Sequence, residues 1–476
     1  IYTLSLHDAL PIYRCQTERN TMNLEEAFAQ KKTENGDIAF NKVGNDPLLN
    51  ILFLTEYYQN HLYEVPVIEE SDRNKFFARF IRDPRNGLGR RDLGRLLMHM
   101  TNCSIEEIVK SGRVDDMFVA NSKTLEYLVS EEMLDWLKSE IEKGNDLVKK
   151  WMPRFSSKNK VLASKIAKYW GMTKQEYGHF VKCDTTESKM SDHRIDEVEF
   201  EHVPSLALLK YYNRFQNGGD TKERFGAYIE SVRKGEAKIN VKATNVYDIY
   251  RKRMAIDADL FFDKIEKIQL SVLPIVDTSG SMYSASANDA AGKALAIGHY
   301  LAKCSTYAHG KVVAFSSHPT LLNLGEKNCI TTYWHGRPDE HFVQKLSEGV
   351  SKYVNEIESM YTGDCSNTDF GKVMEVMKSL DGFPEFIVVL SDMEFDKGSS
   401  TSKTELENMW KENGCNTKIV WWNLNPRNIT VPEMDHMGNI YMSGYSPMLL
   451  GYLEAGFEGK AFLDKLLDTY AKKINN

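Results

Sequence analysis

The sequence predicts a two-part protein of class α + α/β, an α-helical, repeat-like half followed by a Rossmann-like doubly wound domain. Three observations carry that expectation. Apolar residues recur at helical spacing over most of residues 22–262, where strand-like alternation is nearly absent. From Lys267 onward, short Val- and Ile-rich runs alternate with helical segments, the signature of a parallel sheet. The first of these runs, 268–276, ends in Asp277-Thr278-Ser279-Gly280-Ser281, which sets one carboxylate and two hydroxyls where a buried strand runs out.

At 476 residues the chain is too long for a single core. A hydrophobic content of 42% and a charged content of 27% describe an ordinary globular protein. No run approaches the roughly 18 apolar residues a membrane helix needs, so no membrane partner is expected. The seven cysteines (15, 103, 183, 304, 329, 365, 415) form neither a zinc pattern nor a disulfide framework, which points to a reducing, cytoplasmic setting. Residues 1–12 resemble a translated sequencing-adaptor sequence. They make a poor signal peptide, because His7 and Asp8 interrupt any apolar core. The expected division is therefore a non-native or disordered leader at 1–21, a helical domain at 22–262 and an α/β domain at 263–476.

Within the helical half, Asp46-Pro47 is a start signal for an apolar stripe through Leu48, Leu49, Ile51, Leu52 and Leu54. Residues 69–82 continue with Phe76, Phe77, Phe80 and Ile81 at helical spacing, a Gly/Pro-containing break follows, and 92–100 resumes helix. Further helices are predicted at 104–111, 122–143, 158–169, 174–182 and 225–232. Residues 182–199 read as a mobile polar loop, and 251–267 as a charged helix leading into the first strand. Stacked helical pairs of the solenoid type fit this pattern.

Charge is segregated along the chain. Residues 263–476 hold 20 Lys/Arg against 27 Asp/Glu, and the preceding residues hold 40 of each. That balance conceals two basic segments. Residues 73–95 contain eight Lys/Arg against two acids, and 149–182 contain nine against one. Seventeen cations on helical hairpins would suit an anionic partner such as RNA, whose phosphates bind electrostatically. Trp151, Phe155, Tyr169, Trp170 and Tyr177 lie among them for stacking on unpaired bases. The same charges would also suit solvated helix faces or an acidic protein.

In the α/β half, strands are predicted near 268–276, 311–315, 385–390, 417–423 and 439–442. Helices are predicted at 289–306, 340–359, 369–380, 403–412 and 459–473. Ligands on such sheets bind at the carboxyl ends of strands, where Asp277 stands. Its carboxylate with the hydroxyls of Ser279 and Ser281 suits a hard divalent cation such as Mg²⁺. Two later segments complete the pattern: Ser366-Asn367-Thr368-Asp369-Phe370, ahead of a helix, and Phe386-Ile387-Val388-Val389-Leu390-Ser391-Asp392, a buried strand ending in a carboxylate.

The combination resembles the von Willebrand factor A domain and its metal-ion-dependent adhesion site. That resemblance implies the ligand set Asp277, Ser279, Ser281, Thr368 and Asp392, holding Mg²⁺ (or Mn²⁺ or Ca²⁺), with Asp369 beside it through a coordinated water. In the helical half, Arg82-Asp83-Pro84-Arg85-Asn86-Gly87-Leu88-Gly89-Arg90-Arg91, Gly112-Arg113-Val114-Asp115-Asp116, Lys150-Trp151-Met152-Pro153-Arg154, Tyr169-Trp170-Gly171-Met172-Thr173 and Val203-Pro204-Ser205-Leu206-Ala207 resemble an uncharacterised eukaryotic and viral family. That family joins such a half to a von Willebrand A-like half. The order of parts is similar to that of the Ro autoantigen, whose HEAT-like TROVE module binds small non-coding RNA.

Two functions follow as expectations. The first is a Ro-like scaffold that binds RNA and recruits a protein through the metal. Its RNA contacts would be Arg82, Arg85, Arg90, Arg91, Arg95, Lys150, Arg154, Lys158, Lys160 and Lys165. The second is a metal-dependent protein-interaction module without nucleic acid. An enzyme is not expected, since no phosphate-binding Gly-rich loop, His-Glu-x-x-His or Gly-x-Ser-x-Gly motif is present.

Overall fold

The structure is a computed structural model. It describes residues 29–475 except 67, 69–71, 85, 121–126, 220, 242–243, 266, 268, 285–288, 316–318, 335–336, 346–348, 350–351, 354–368, 379, 381, 413, 415, 426, 435–438 and 445–458. The leader at 1–21 and the assignments of Arg85 and Thr368 therefore lie outside the described residues.

The first half is helix after helix, from Pro47–Phe53 and Thr55–Asn60 to Val246–Lys252 and Ala258–Lys264. Local chemistry sets the boundaries. Asp46 Oδ1 accepts from the Leu48 and Leu49 amides, with Pro47 in the first turn. Capping boxes start Ile105–Ser111 (Ser104 with Glu107) and Lys174–Phe180 (Thr173 with Glu176), each worth about 1 kcal/mol. Asp72–Arg82 and Arg91–Met100 pack closely because residue 94 is Gly, where a Cβ would sit 2.6 Å from the Arg82 backbone.

Several expectations need correction. Two short hairpins interrupt the helices, β1 (Gln30–Lys32) with β2 (Ile38–Phe40) and β3 (Val119–Ala120) with β4 (Tyr127–Leu128). Such short strands leave almost no alternation to read. The helix predicted at 122–143 begins only at Glu131, capped by Ser130. The polar 182–199 segment contains a helix, Thr186–Ser191, because Thr185 and Ser188 form a reciprocal cap. The 251–267 helix is two helices, the second started by the Asp257 side chain.

The second half is built on a six-stranded sheet in the order β12-β11-β10-β5-β6-β7. These strands are β5 (Val272–Asp277), β6 (Lys311–Phe315), β7 (Thr320–Asn323), β10 (Phe386–Ser391), β11 (Lys418–Asn423) and β12 (Ile440–Ser443). All neighbours are parallel except β6 with β7. Every residue of β5 and β10 is buried, as in a sheet covered on both faces. Helix Ala290–Cys304 lies tight on β5 through Gly298, whose Cβ would come 2.4 Å from Val276 Cγ2. Helices Phe370–Lys378, Ser399–Glu412 and Gly459–Asn475 alternate with the later strands. The antiparallel edge β7 and the hairpin of β8 (Lys327–Trp334) with β9 (Arg337–Lys345) were not expected. The hairpin takes residues 340–345 of the helix predicted at 340–359, most of whose remainder lies outside the described residues. Its Cys-Ile-Thr-Thr-Tyr-Trp run is β-branched and aromatic, and so favours strand.

The helical half meets the α/β half at both of its ends. At its start, Phe53 packs against Tyr441 and Phe462, and Phe80 against Tyr470. The Tyr470 hydroxyl donates to Asp83. At its end, the Tyr247 hydroxyl donates to Asp289 beside helix Ala290–Cys304. Glu56, fully buried, joins Arg90 (2.7 Å) of one half to Lys293 (3.3 Å) of the other.

Candidate metal centre and basic surface

Leu390 of β10 stands opposite Val276 of β5, so Asp277 and Asp392 emerge at adjacent strand ends. From β5 the chain passes to β6 on one side, while β10 lies on the other, making this the switch point where such sheets bind ligands. Asp277 Oδ1 accepts from the Ser279 amide at 2.9 Å, and Oδ2 from the Ser391 hydroxyl at 2.5 Å. The Ser279 and Ser281 hydroxyls are 3.1 Å apart, and the Ser281 side chain bonds Asp392. Four of the five predicted ligands are thereby gathered.

Both carboxylates are 0% exposed. Burial, with the charge of Asp392 second, pushes Asp277 up to about 7. Burial also raises Asp392, against the pull of Arg427. Asp392 Oδ2 is buried without a hydrogen bond, and Arg427 stands 3.6 Å from it. Two like charges with neighbouring hydroxyls form a hard-oxygen cage that fits a divalent cation. Among the described residues no three of His, Cys, Asp and Glu gather into a metal cluster; this cage has two carboxylates and relies on hydroxyls. Asp369 caps helix Phe370–Lys378 through the Lys372 amide (3.3 Å).

Two further charged residues stand beside the cage. Glu394 is fully buried and accepts from the Glu34 amide (2.6 Å) and the Thr430 hydroxyl (3.0 Å). Arg427 comes from the loop after β11. Neither belongs to the adhesion-site motif, and their positions depend on contacts remote in sequence.

The cations of the two basic segments divide into paired and exposed residues. Arg82 is buried and paired with Asp116 at 2.6 Å, and Arg90 is buried and paired with Glu56. Arg95, half-buried, is shared between Asp116 (2.8 Å) and Asp115 (3.4 Å). These three are corrected from RNA contacts to internal ion pairs, because their guanidiniums are consumed by carboxylates of the same domain. Half-buried Lys150 is paired with Glu187 at 2.8 Å, and Arg154 donates to the Lys149 carbonyl. Arg91, Lys158, Lys160 and Lys165 are exposed. Of the stacking candidates, Trp170 and Tyr177 are core residues and Trp151 is covered by the Arg113 guanidinium at 3.9 Å; Tyr169 is 42% exposed.

The structure joins a helix-rich half to a doubly wound α/β half whose strand ends carry the cage. Comparison with known proteins found matches in both halves. A domain of unknown function, DUF2828, matches residues 180–269, and a second, DUF7788, matches 271–465. The chain is similar to an uncharacterized protein of Acanthamoeba polyphaga mimivirus, 23% identical over 353 residues. That alignment covers 64% of this chain and 57% of the viral protein, so the chain spans under two thirds of that relative. The crystal structure of the Deinococcus radiodurans RO (RSR) protein aligns over 87% of this chain and 93% of its own, with 12% identity and a TM-score of 0.41.

Proposed function

We propose that this chain is a binding scaffold, not an enzyme, whose α/β half captures an acidic side chain of a protein partner through a divalent cation. Mg²⁺, with Mn²⁺ or Ca²⁺ able to replace it, would be held by Asp277, Ser279, Ser281, Thr368 and Asp392. The carrying observation is the Asp277–Asp392 pair, two buried carboxylates at one switch point with Arg427 3.6 Å from Asp392. The cation supplies positive charge there; the hydroxyls of Ser279 and Ser281 orient it, and burial excludes competing water. Calorimetry with Mg²⁺ and Mn²⁺ tests this. Binding should be lost in Asp277→Ala with the fold retained, and equal affinity in that variant would remove Asp277 from the site.

A second reading, RNA binding by the helical half, is favoured by one set of residues. Lys158, Lys160, Lys165, Lys168, Lys174 and Lys182 are exposed and carry no ion pair among the described residues. A small non-coding RNA would meet phosphate-seeking lysines there, beside Tyr169. RNA retention by purified protein should rise steeply below about 50 mM salt. No retention at low salt would leave the metal-dependent module alone. Among the described residues no helix is long and apolar enough to cross a membrane.

A further inference from the structure

The start of the chain packs beside the loops that carry the cage's neighbours. The β1–β2 hairpin reaches across to the loop after β10: the Thr33 hydroxyl donates to the Phe395 carbonyl (2.6 Å) and Asn35 Nδ2 to the Glu394 carbonyl (2.8 Å). The amide of Glu34 is anchored on Glu394. This fixes the Glu34 carboxylate against the loop after β11, where Oε2 meets Arg427 at 2.7 Å and Oε1 accepts from Asn428 Nδ2 at 3.2 Å. Arg427 thus stands between two carboxylates, Glu34 outside and buried Asp392 inside at 3.6 Å. Its side chain is 30% exposed and Asp392 is 0% exposed.

We propose that Arg427 is a built-in competitor for the cation, and that Glu34 is the parking partner that holds its guanidinium away from Asp392. This rests on the metal reading given above and adds regulation of that site. A guanidinium beside a ligand carboxylate disfavours a divalent cation by charge repulsion, and it neutralises Asp392 when no metal is bound. Glu34 offers the same guanidinium a closer partner. Any partner that pulls on the β1–β2 hairpin therefore alters cation affinity at a site it does not touch.

The test uses two variants that break the same ion pair. Arg427→Gln removes the competitor and should raise Mn²⁺ affinity about tenfold or more. Glu34→Gln frees Arg427 to move onto Asp392 and should lower Mn²⁺ affinity. A purely structural ion pair would shift both variants the same way. Mn²⁺ binding to the full chain is followed by electron paramagnetic resonance, with circular dichroism to confirm folding and Arg427→Lys as the charge-retaining control. Opposite shifts, with Arg427→Lys near wild type, support the proposal, as does binding seen only in Arg427→Gln. If wild type binds Mn²⁺ through Asp277 and Arg427→Gln binds it equally, the competitor role is overturned while the metal site stands. If no variant binds Mn²⁺, the metal reading falls and this inference with it.

Discussion

Residues 73–95 and 149–182 carry almost the same density of positive charge, yet Arg79, Arg82 and Arg90 of the first are buried, while Lys158, Lys160, Lys165, Lys168, Lys174 and Lys182 of the second are exposed. The difference lies in which cation is used. Seven of the eight basic residues in the first are Arg, and eight of the nine in the second are Lys. A planar guanidinium forms directed pairs with carboxylates and tolerates burial, whereas an ammonium is strongly hydrated and stays at the surface. The Arg82–Asp116 and Arg90–Glu56 pairs are buried. Lys158, Lys160 and Lys165 border a helix whose buried face is Leu162, Ala163, Ile166 and Ala167. Charge density alone therefore says little about binding; the kind of cation, and the acids able to reach it, say more.

The sharpest way to break this contrast is Asp116→Ala, which leaves the buried Arg82 guanidinium without its carboxylate. The expected loss is about 3–5 kcal/mol in chemical denaturation, because an unpaired buried charge remains. A loss under about 1 kcal/mol would mean that the arginine cluster is not structural.

Buried charge of one sign only, at Asp277 and Asp392, should behave differently. The folded-state carboxyl of Asp277 is raised above its unfolded value, so the folded state binds the extra proton. Metal-free protein should therefore lose stability as pH rises from about 4 towards 7. Saturating cation should reverse that loss, adding about 2.7 kcal/mol at one hundred times its Kd. Thermal melts with chelator at pH 5 and pH 7.5 check the sign, and Asp277→Asn should flatten the slope.

The smallest stability effect belongs to the lysine face. Lys158→Glu, Lys160→Glu and Lys165→Glu should each change stability by less than about 0.5 kcal/mol. Combined, they should weaken RNA binding and flatten its salt dependence, by about 0.7 in the logarithmic slope for each phosphate of a single strand no longer neutralised. An unchanged slope would make these lysines solvated faces.

Much of the α/β half was legible because its signals are local. The predicted strand at 311–315 coincides with β6, and the helix predicted at 459–473 is Gly459–Asn475. Asp277, Ser279 and Ser281 stand together since one strand end carries all three. Less was readable where tertiary contact decides. Glu34 and Arg427 are brought together from opposite ends of the chain by a hairpin docking on the sheet. The burial of Arg82 and Arg90 depends on Asp116 and Glu56, neither of which lies within a helical turn of its partner. Hairpin β8–β9 was missed because its second strand, Arg337–Lys345, is mostly polar and carries no clear alternation.

The packing of helix Gly459–Asn475 on helices Pro47–Phe53 and Asp72–Arg82 has a consequence in time. Asp83 and Tyr470 are 387 positions apart. At ribosomal speeds of about 5–20 residues per second, the earlier helices wait roughly 20–80 s for the surface that covers Phe53 and Phe80. Until then the side of those rings that meets Phe462 and Tyr470 lacks its final cover, and the first helices made complete their packing last.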